Sequence, residues 1–355
     1  MAGILIKNGR VWNGEAFLYA DVLTDGECIY KIAKNITDHA DFEFDATGMI
    51  VSPGLVDLHV HLKGIAPKAY GIQAEMSSFP FGVTAVNDAG SIHGDRFLLD
   101  SFAVKNTVFV GTDILKNHAD LSNAERLLVK YGDKAIGVKV VFDKTISDVC
   151  DISPLKEICD YARARDLKVM VHCSQSPVSM KSIIEELSPG DILTHAYHGG
   201  KNSCCDNDFE AFAIARKKGV IIDSGFAGYV HTNFKNFEDS IKMGYLPDTI
   251  STDITVCSAY KRGGRYGMTM CMSIAKELGM DEHHIFKAVT SNPAEALGKG
   301  SQWGRLLEGR TADIAVFQFC DEGFILTDNS GHCVQNNSGY RCVLTLCDGQ
   351  VVYRR

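Results

Sequence analysis

Short apolar runs alternate with longer stretches of helical periodicity through the middle of the chain. The runs are almost continuously apolar, which is typical of parallel strands buried on both faces. We predict eight strands, at 55–58, 84–87, 107–110, 136–140, 168–172, 192–195, 220–222 and 249–253. Helical patterns such as 154–164, 179–187, 207–218 and 265–278 supply the crossovers that parallel strands require. Eight strand–helix units over about 250 residues predict a TIM barrel.

Both ends of the chain have a different pattern, with short alternating segments and turns that contain glycine. Residues 4–33 are divided by turn signals such as Asn8-Gly9 and Asp25-Gly26. Strand-like segments return at 312–318, 340–346 and 351–353. Neither end could bury a core by itself, so we expect the two to pack together. The sequence thus predicts an α/β protein with a TIM barrel over 51–304 and a small composite β-sandwich from 1–50 and 305–355.

Composition and charge narrow the classes of partner. The chain has 36 Lys and Arg against 44 Asp and Glu, a formal net charge of −8, and it carries no basic tail. Nucleic-acid binding is therefore not expected. No apolar run approaches the roughly 18 residues of a membrane helix, so no membrane partner is expected either. The 12 cysteines lack C-x-x-C spacing, which favours free thiols and a soluble cytoplasmic protein.

Polar side chains end several of the predicted strands, and in a TIM barrel the chemistry lies at these carboxyl ends. The first strand leads into His59 and His61, which point to the same side because side chains alternate along an extended backbone. The fifth strand ends in His172, the sixth in His195 and the eighth in Asp253. Neutral imidazole and carboxylate are ligands for ions such as zinc. We therefore predict a metal centre, with Asp253 also able to carry a proton.

The fourth predicted strand contains one lysine, Lys139, in an otherwise apolar segment. Burial lowers the pKa of an ammonium group and favours the neutral amine. A neutral amine can take up carbon dioxide, and the resulting carbamate has two oxygens that could bridge two cations. The alternative is a lysine at the edge of the sheet whose side chain extends to solvent.

The order of the predicted ligands along the strands resembles that of the amidohydrolase superfamily in its two-metal, lysine-carbamate form. The set consists of His59, His61, Lys139, His172, His195 and Asp253. Segments 51–57, 290–294 and 309–313 are similar to that family's entry to the barrel and exit from it. Segments 88–91, 193–199 and 251–254 look like those of the deacetylase-like subgroup, whose members are often labelled dihydroorotases. The resemblance implies two divalent ions, zinc by default, and N-carboxylation of Lys139. His59, His61 and Asp253 would bind the more buried ion, His172 and His195 the outer one, and Lys139 would bridge both.

The activity that the resemblance implies is hydrolysis of a small amide or ester by a hydroxide that bridges the metals. Members of the subgroup deacetylate N-acetyl D-amino acids or acetylated 2-hydroxy acids. Asp253 would take the proton of the nucleophile and pass it to the leaving atom. The substrate is expected to carry a carboxylate, and the enzyme is expected to form a homo-oligomer. Candidate substrate contacts are Lys63, His198, Tyr229, His231, Arg262 and Arg265.

Three alternatives remain open. A cyclic amidase of the dihydroorotase or hydantoinase type would use the same metals, although dihydroorotases generally have an arginine shortly after the H-x-H, where this chain has Lys63. An adenine deaminase-like enzyme is the second, and Lys139 counts against its one-metal form. A non-catalytic scaffold is the third, but every position of the predicted ligand set is filled.

Overall fold

Strands and helices alternate through the middle of the chain, and strands predominate at both ends. The computed structural model describes residues 3–68, 70–227, 230–261, 264–321 and 323–355. The strands are β1 (Ile4–Trp12), β2 (Phe17–Asp25), β3 (Cys28–Ala33), β4 (Phe42–Asp45), β5 (Ile50–Pro53), β6 (Leu55–Val60), β7 (Val83–Ser91), β8 (Lys105–Leu115), β9 (His118–Asp120), β10 (Ala135–Val141), β11 (Lys168–His172), β12 (Ile192–Thr194), β13 (Ile221–Asp223), β14 (Ile314–Cys320), β15 (Phe324–Thr327), β16 (Cys333–Asn336), β17 (Gly339–Cys347) and β18 (Gln350–Arg354). The helices are α1 (Ala74–Ser78), α2 (Arg96–Asp100), α3 (Ser122–Tyr131), α4 (Ser153–Arg163), α5 (Met180–Glu186), α6 (Asp206–Lys218), α7 (Phe234–Lys242), α8 (Val256–Lys261), α9 (Met268–Glu277), α10 (Glu282–Val289) and α11 (Ser291–Ala296).

Seven strands form a curled parallel sheet in the order β6-β7-β8-β10-β11-β12-β13. The eighth predicted strand, 249–253, does not form a regular strand, but it closes the ring. Thr249 bridges to Asp223 on β13, and Ile254 bridges to Val60 on β6. The TIM barrel predicted from the sequence is therefore confirmed.

Side chains interrupt the eighth segment, which explains why its pairing is irregular. The backbone N–H of Ser251 donates to Ser224 Oγ at 3.2 Å, and that of Thr252 donates to Asp57 Oδ1 at 3.1 Å. Amides bonded to side chains cannot extend a ladder of backbone hydrogen bonds. The segment therefore pairs with its neighbours through scattered backbone hydrogen bonds, such as that from Phe226 N to the Ser251 carbonyl at 3.1 Å, instead of a regular ladder.

The helices pack against the barrel through apolar stripes, as α4 illustrates. Its buried residues Leu155, Ile158, Cys159 and Ala162 follow the i, i+3, i+4, i+7 spacing of one helix face. Pro154 lies in the first turn, where its missing N–H has no intrahelical partner to lose. Within the described ranges, every helix is too short or too polar to cross a bilayer.

The strands at the two ends of the chain belong to one separate sheet. Its order is β18-β17-β14-β5-β1-β2-β3, with β4 beside β1. β5 joins the ends because it pairs in parallel with β1 and antiparallel with β14. The side chains buried in this sheet include Val11, Val22, Val51, Val316 and Leu344.

One turn expected from the sequence is instead a bulge. Asn8-Gly9 does not reverse the chain, because β1 continues from Ile4 to Trp12 with a register shift between Ile6 and Gly9. Asn8 has a φ of 62°, and its N–H donates to Asp21 Oδ1 at 2.8 Å. A left-handed asparagine followed by glycine suits a bulge as well as a hairpin turn.

Trp12 at the end of β1 connects the end sheet to the barrel. It is fully buried, and its indole N–H donates to Thr290 Oγ1 at 2.9 Å. Its ring centroid lies 5.0 Å from that of Phe17 and 6.4 Å from that of Phe286 on α10. A buried indole with a satisfied N–H anchors the two parts of the fold to each other.

Candidate metal centre

The carboxyl ends of the barrel strands bring most of the predicted ligands together around Asp253. His61 Nε2 lies 2.9 Å and His59 Nε2 lies 3.3 Å from Asp253 Oδ1. His195 Nε2 lies 3.8 Å from Asp253 Oδ2. Lys139 Nζ approaches from β10 to 3.3 Å from His59 Nε2. Residues from the first, fourth, sixth and eighth strand positions thus meet in one buried space.

A second group of imidazoles adjoins the first. Candidate ligand atoms of His172, His195 and His231 lie within 4.8 Å of one another. The ring centroids are 4.4 Å apart for His172 and His195, and 4.3 Å apart for His195 and His231. His231, which the sequence suggested as a substrate contact, therefore lies against the two histidines expected at the outer metal.

Two of these residues have strained backbones. His195 has a φ of 64° and Asp253 a φ of 46°, in the left-handed region that few residues other than glycine adopt. Such conformations cost about 1–3 kcal/mol each and concentrate at functional sites. Hydrogen bonds hold the strained strand ends, for example from Asp253 N to the His59 carbonyl at 2.8 Å. Both side chains lie at the barrel mouth, with His195 Nε2 3.8 Å from Asp253 Oδ2.

A hydroxyl and a carboxylate fix the tautomer of His59. Thr194 Oγ1 lies 3.0 Å from His59 Nδ1 and donates its proton to Asp223 Oδ2 at 2.7 Å. Because the hydroxyl has only one proton, it must accept a hydrogen bond from His59 Nδ1–H. The lone pair of His59 Nε2 then faces Asp253. Asp223 is fully buried and also accepts from Thr249 and Ser251, both at 2.7 Å.

The same reasoning fixes the tautomers of His195 and His172 in the second group. His195 Nδ1 lies 2.8 Å from the Gly225 carbonyl, which can only accept, so Nε2 keeps its lone pair. His172 Nε2 lies 2.6 Å from Ser174 Oγ, which donates to Asp143 Oδ2 at 2.7 Å. This leaves the lone pair on His172 Nδ1. Both imidazoles therefore offer a nitrogen ligand while their other nitrogen is held as a donor.

The donor set fits divalent cations. Within the described part of the chain, His195 Nε2 is a buried atom without a hydrogen-bond partner, and Asp253 Oδ1 faces the Nε2 atoms of His61 at 2.9 Å and His59 at 3.3 Å. Buried polar atoms are normally satisfied, and a cation would satisfy these lone pairs together. Burial lowers the pKa of His195 well below its usual value and keeps this imidazole neutral. Burial raises the pKa of Asp253, but nearby His59 and His61 outweigh this effect and hold it low, as a carboxylate ligand requires.

Burial also affects the protonation of Lys139. Its side chain is almost fully enclosed, and this desolvation lowers its pKa to about 8 despite the carboxylates of Asp253 and Asp223 nearby. Among the residues that can be described, none forms a salt bridge with it. The alternative of an edge lysine that extends to solvent is therefore wrong, because β10 lies between β8 and β11.

The candidate substrate contacts have different surroundings. His198 is buried, and its Nδ1 accepts from Gly200 N at 3.0 Å, so its Nε2 must carry the proton, for which the described residues supply no partner. Lys63 is exposed, in the loop just after His61. Arg265 is exposed and lines a different cavity, beside Phe81 and Tyr340. Tyr229 and Arg262 lie outside the described residues.

Sequence reasoning missed the two carboxylates behind the histidines. Asp143 follows the apolar run that ends β10, and Asp223 is the last residue of β13. An acidic residue at the end of an apolar strand is the same signal that identified Asp253. The hydroxyls of Thr194 and Ser174 gave no signal of this kind, because their role depends on which strands are neighbours.

The fold and the site together define a class of protein: a metal-dependent hydrolase built on a TIM barrel. Comparison with known proteins then gives the family. The model of the amidohydrolase family matches residues 50–352, and the chain belongs to this family. It is an enzyme of the class that hydrolyses C–N bonds in small molecules.

Several known proteins are similar over nearly the whole length. A protein of Enterococcus faecalis named deacetylase is 29% identical over an alignment that covers 98% of each chain. A deacetylase of Brucella anthropi is 29% identical over 333 residues, 85% of this chain and 80% of that protein. A crystal structure of a dihydroorotase superposes with a TM-score of 0.86 at 24% identity, covering 99% of this chain and 98% of that one. The last comparison supports the fold alone.

Proposed function

We propose that this amidohydrolase is a deacetylase that removes the acetyl group from N-acetyl D-amino acids or from acetylated 2-hydroxy acids. The observation that carries the proposal is the meeting of two imidazole groups at one buried carboxylate, Asp253. Two relatives named deacetylase support the choice of reaction within the family. The acetyl group is small, and the carboxylate of the same substrate could be bound at the barrel mouth.

In this proposal the residues of the site hold two divalent ions, with zinc as the expected metal. His59, His61 and Asp253 would hold one ion, and His172 and His195 the other. Lys139 would be N-carboxylated and bridge the two. Its burial, its lowered pKa and the lack of an ion-pair partner within the described ranges raise the share of neutral amine near neutral pH, and this form can take up carbon dioxide. Bound divalent ions lower the pKa of water and so supply hydroxide near neutral pH.

Asp253 would move the proton. One of its oxygens faces His61 at 2.9 Å and the other faces His195 at 3.8 Å, so it can reach atoms on both sides of the centre. It would accept the proton of the attacking water and donate it to the leaving nitrogen or oxygen. Asp57 supports its position, because Thr252 Oγ1 donates to Asp57 Oδ2 at 2.6 Å and ties the eighth segment to β6.

The remaining site residues would bind the substrate. The Nε2–H of His198 is a buried donor and could bind a substrate oxygen. Lys63, Tyr229, His231 and Arg262 are the other proposed contacts, whereas Arg265, which was expected to be one, lines a separate cavity. We also propose a cytoplasmic homo-oligomer with a barrel domain over 51–304 and an end domain from 1–50 and 305–355. The free state of all 12 cysteines fits a reducing compartment.

The experiment is an acetate-release assay on protein expressed with zinc and bicarbonate. The panel contains matched N-acetyl D- and L-amino acids and acetyl esters of 2-hydroxy acids. We expect release from one of these classes, two metals per chain, and a large loss of kcat for Asp253→Asn. No acetate from any substrate at full metal content would refute the proposal. Ring opening of dihydroorotate or a hydantoin, or ammonia release from adenine, would assign the alternative activities.

A further inference from the structure

Three imidazoles meet at the barrel mouth, one more than the outer metal of the proposed function uses. His172 ends β11, His195 follows β12 directly, and His231 lies in the loop between β13 and α7. Their ring centroids are 4.3–4.7 Å apart. Candidate ligand atoms of all three lie within 4.8 Å of one another.

The loop of His231 is tied to the strand end that carries His195. Asn233 caps the start of α7, and its backbone N–H donates to the Tyr197 carbonyl at 3.0 Å. Tyr197 lies two residues after His195, so the two histidines share one hydrogen-bonded framework. The position of the third imidazole is therefore set by the backbone as well as by its own side-chain rotamer.

The donor atoms suit a tetrahedral ion. Gly225 and Ser174 hold the outer nitrogens of His195 and His172 as donors, which leaves both inner nitrogens with lone pairs. Zinc–nitrogen bonds of about 2.0–2.1 Å place tetrahedral nitrogen ligands about 3.3–3.4 Å apart. Nitrogens that already lie within 4.8 Å of one another would need to move by only about 1 Å. Three imidazoles would also leave a fourth position open for water or substrate.

Lys139 is directed toward the other group of ligands. Its Nζ lies 3.3 Å from His59 Nε2 and 3.4 Å from Met170 Sδ. We propose that His172, His195 and His231 form a three-histidine site that holds one divalent cation without carboxylated Lys139. This inference rests on the proposed function and deepens it, because it makes one metal of the centre independent of carbon dioxide.

The test is titration with cobalt(II), whose visible absorption reports its ligands. Lys139→Met fills the buried volume without an amine, and His61→Ala disables the group around Asp253. His283→Ala removes an exposed group near Asp281 that could also bind cobalt. The metal-free triple variant is titrated in buffer freed of carbon dioxide, with calorimetry and absorption as readouts. Thermal unfolding checks that each protein is folded.

We expect the triple variant to bind one cobalt ion per chain, with the absorption of a site of low coordination number. Adding His231→Ala should weaken binding by more than the ~10–100-fold that loss of an outer hydrogen-bond partner costs. His198→Ala is the matched control, because it removes a buried neighbouring histidine that lies outside the group, and the affinity should remain. Absence of cobalt binding, or full affinity after His231→Ala, would overturn the inference.

Two further measurements keep the test decisive. If the triple variant does not fold, single His231→Ala and wild-type proteins are compared by cobalt absorption without carbon dioxide, where the same difference is expected. Unchanged spectra would count against the site. The acetate assay remains separate: a wild-type protein that binds two metals but releases no acetate refutes the proposed function, whereas cobalt binding by the variants depends on the three histidines.

Discussion

Replacement of Thr194 by valine tests whether a hydroxyl sets the tautomer of His59. The side chains have nearly the same shape, but valine cannot accept the hydrogen bond from His59 Nδ1 at 3.0 Å. The Nδ1–H would then be a buried donor without a partner, which costs about 1–3 kcal/mol. His59 can avoid this cost by moving its proton to Nε2. That nitrogen faces Asp253 at 3.3 Å, so the proton would block the proposed metal ligand.

The expected loss of metal affinity in Thr194→Val follows from the hydrogen bonds that are lost. Asp223 keeps the hydroxyls of Thr249 and Ser251, both at 2.7 Å, so its burial remains compensated. The main effect falls on the imidazole. Loss of such an outer partner lowers metal affinity by about 10–100-fold, or about 1.4–2.7 kcal/mol. Because metal affinity is the affected quantity, added zinc should restore much of the lost activity.

Thr249→Val is the matched control, since Thr249 Oγ1 donates to Asp223 Oδ1 at 2.7 Å and, among the described residues, makes no hydrogen bond to a histidine. The first readout is ¹⁵N NMR of histidine in the metal-free proteins, which distinguishes Nδ1–H from Nε2–H. The second is zinc affinity measured by competition with a chelator. Thr194→Ser, which keeps the hydroxyl, should restore both. Equal effects of Thr194→Val and Thr249→Val on tautomer and affinity would refute the reasoning.

Three further predictions concern stability. Gly137→Ala adds a Cβ that would collide with the Phe109 ring and lie 2.6 Å from the Lys168 carbonyl oxygen, so we expect a loss of about 1–3 kcal/mol in urea unfolding; an unchanged midpoint would contradict it. Trp12→Ala should cost about 3–5 kcal/mol, because it empties a buried site and leaves the Thr290 hydroxyl without its donor; a smaller change in calorimetric unfolding would argue against Trp12 as the anchor. Chelation should lower the melting temperature, since ions at a hundredfold excess over Kd stabilise the folded state by about 2.7 kcal/mol, and a constant melting temperature would indicate that no ion is bound.

The sequence predicted the barrel and the convergence of its ligands because both depend on periodic patterns. Parallel strands run in the same direction around the barrel, so the side chains at their carboxyl ends lie together whatever the conformation of the loops. The strand pattern alone therefore places His172 and His195 side by side. His231 could not be placed, since it follows β13 at the end of a loop whose path depends on the contact between Asn233 and Tyr197.

Other features depend on neighbours that the sequence does not specify. Asn8-Gly9 carries the same local signal for a turn and for a bulge, and the pairing of β1 with strands on both sides decides for the bulge. The irregular eighth segment arises because Asp57 and Ser224 take up its amides. These are tertiary hydrogen bonds, which override local preference.

The two buried carboxylates behind the histidines connect the fold to the chemistry. Asp143 acts on His172 through Ser174, and Asp223 acts on His59 through Thr194, so each imidazole group receives its own orienting acid. Each carboxylate accepts hydrogen bonds from hydroxyls. The carboxylate oxygen lies 3.6 Å from the ring nitrogen for Asp143 and His172, and 4.0 Å for Asp223 and His59, which is too far for a direct hydrogen bond. A hydroxyl between acid and ring fixes the tautomer while it keeps the charge away from the imidazole. Burial lowers the pKa of His59 and of His172 and favours their neutral forms, and the hydroxyls hold one nitrogen of each ring as a donor, which is the state that a cation site requires.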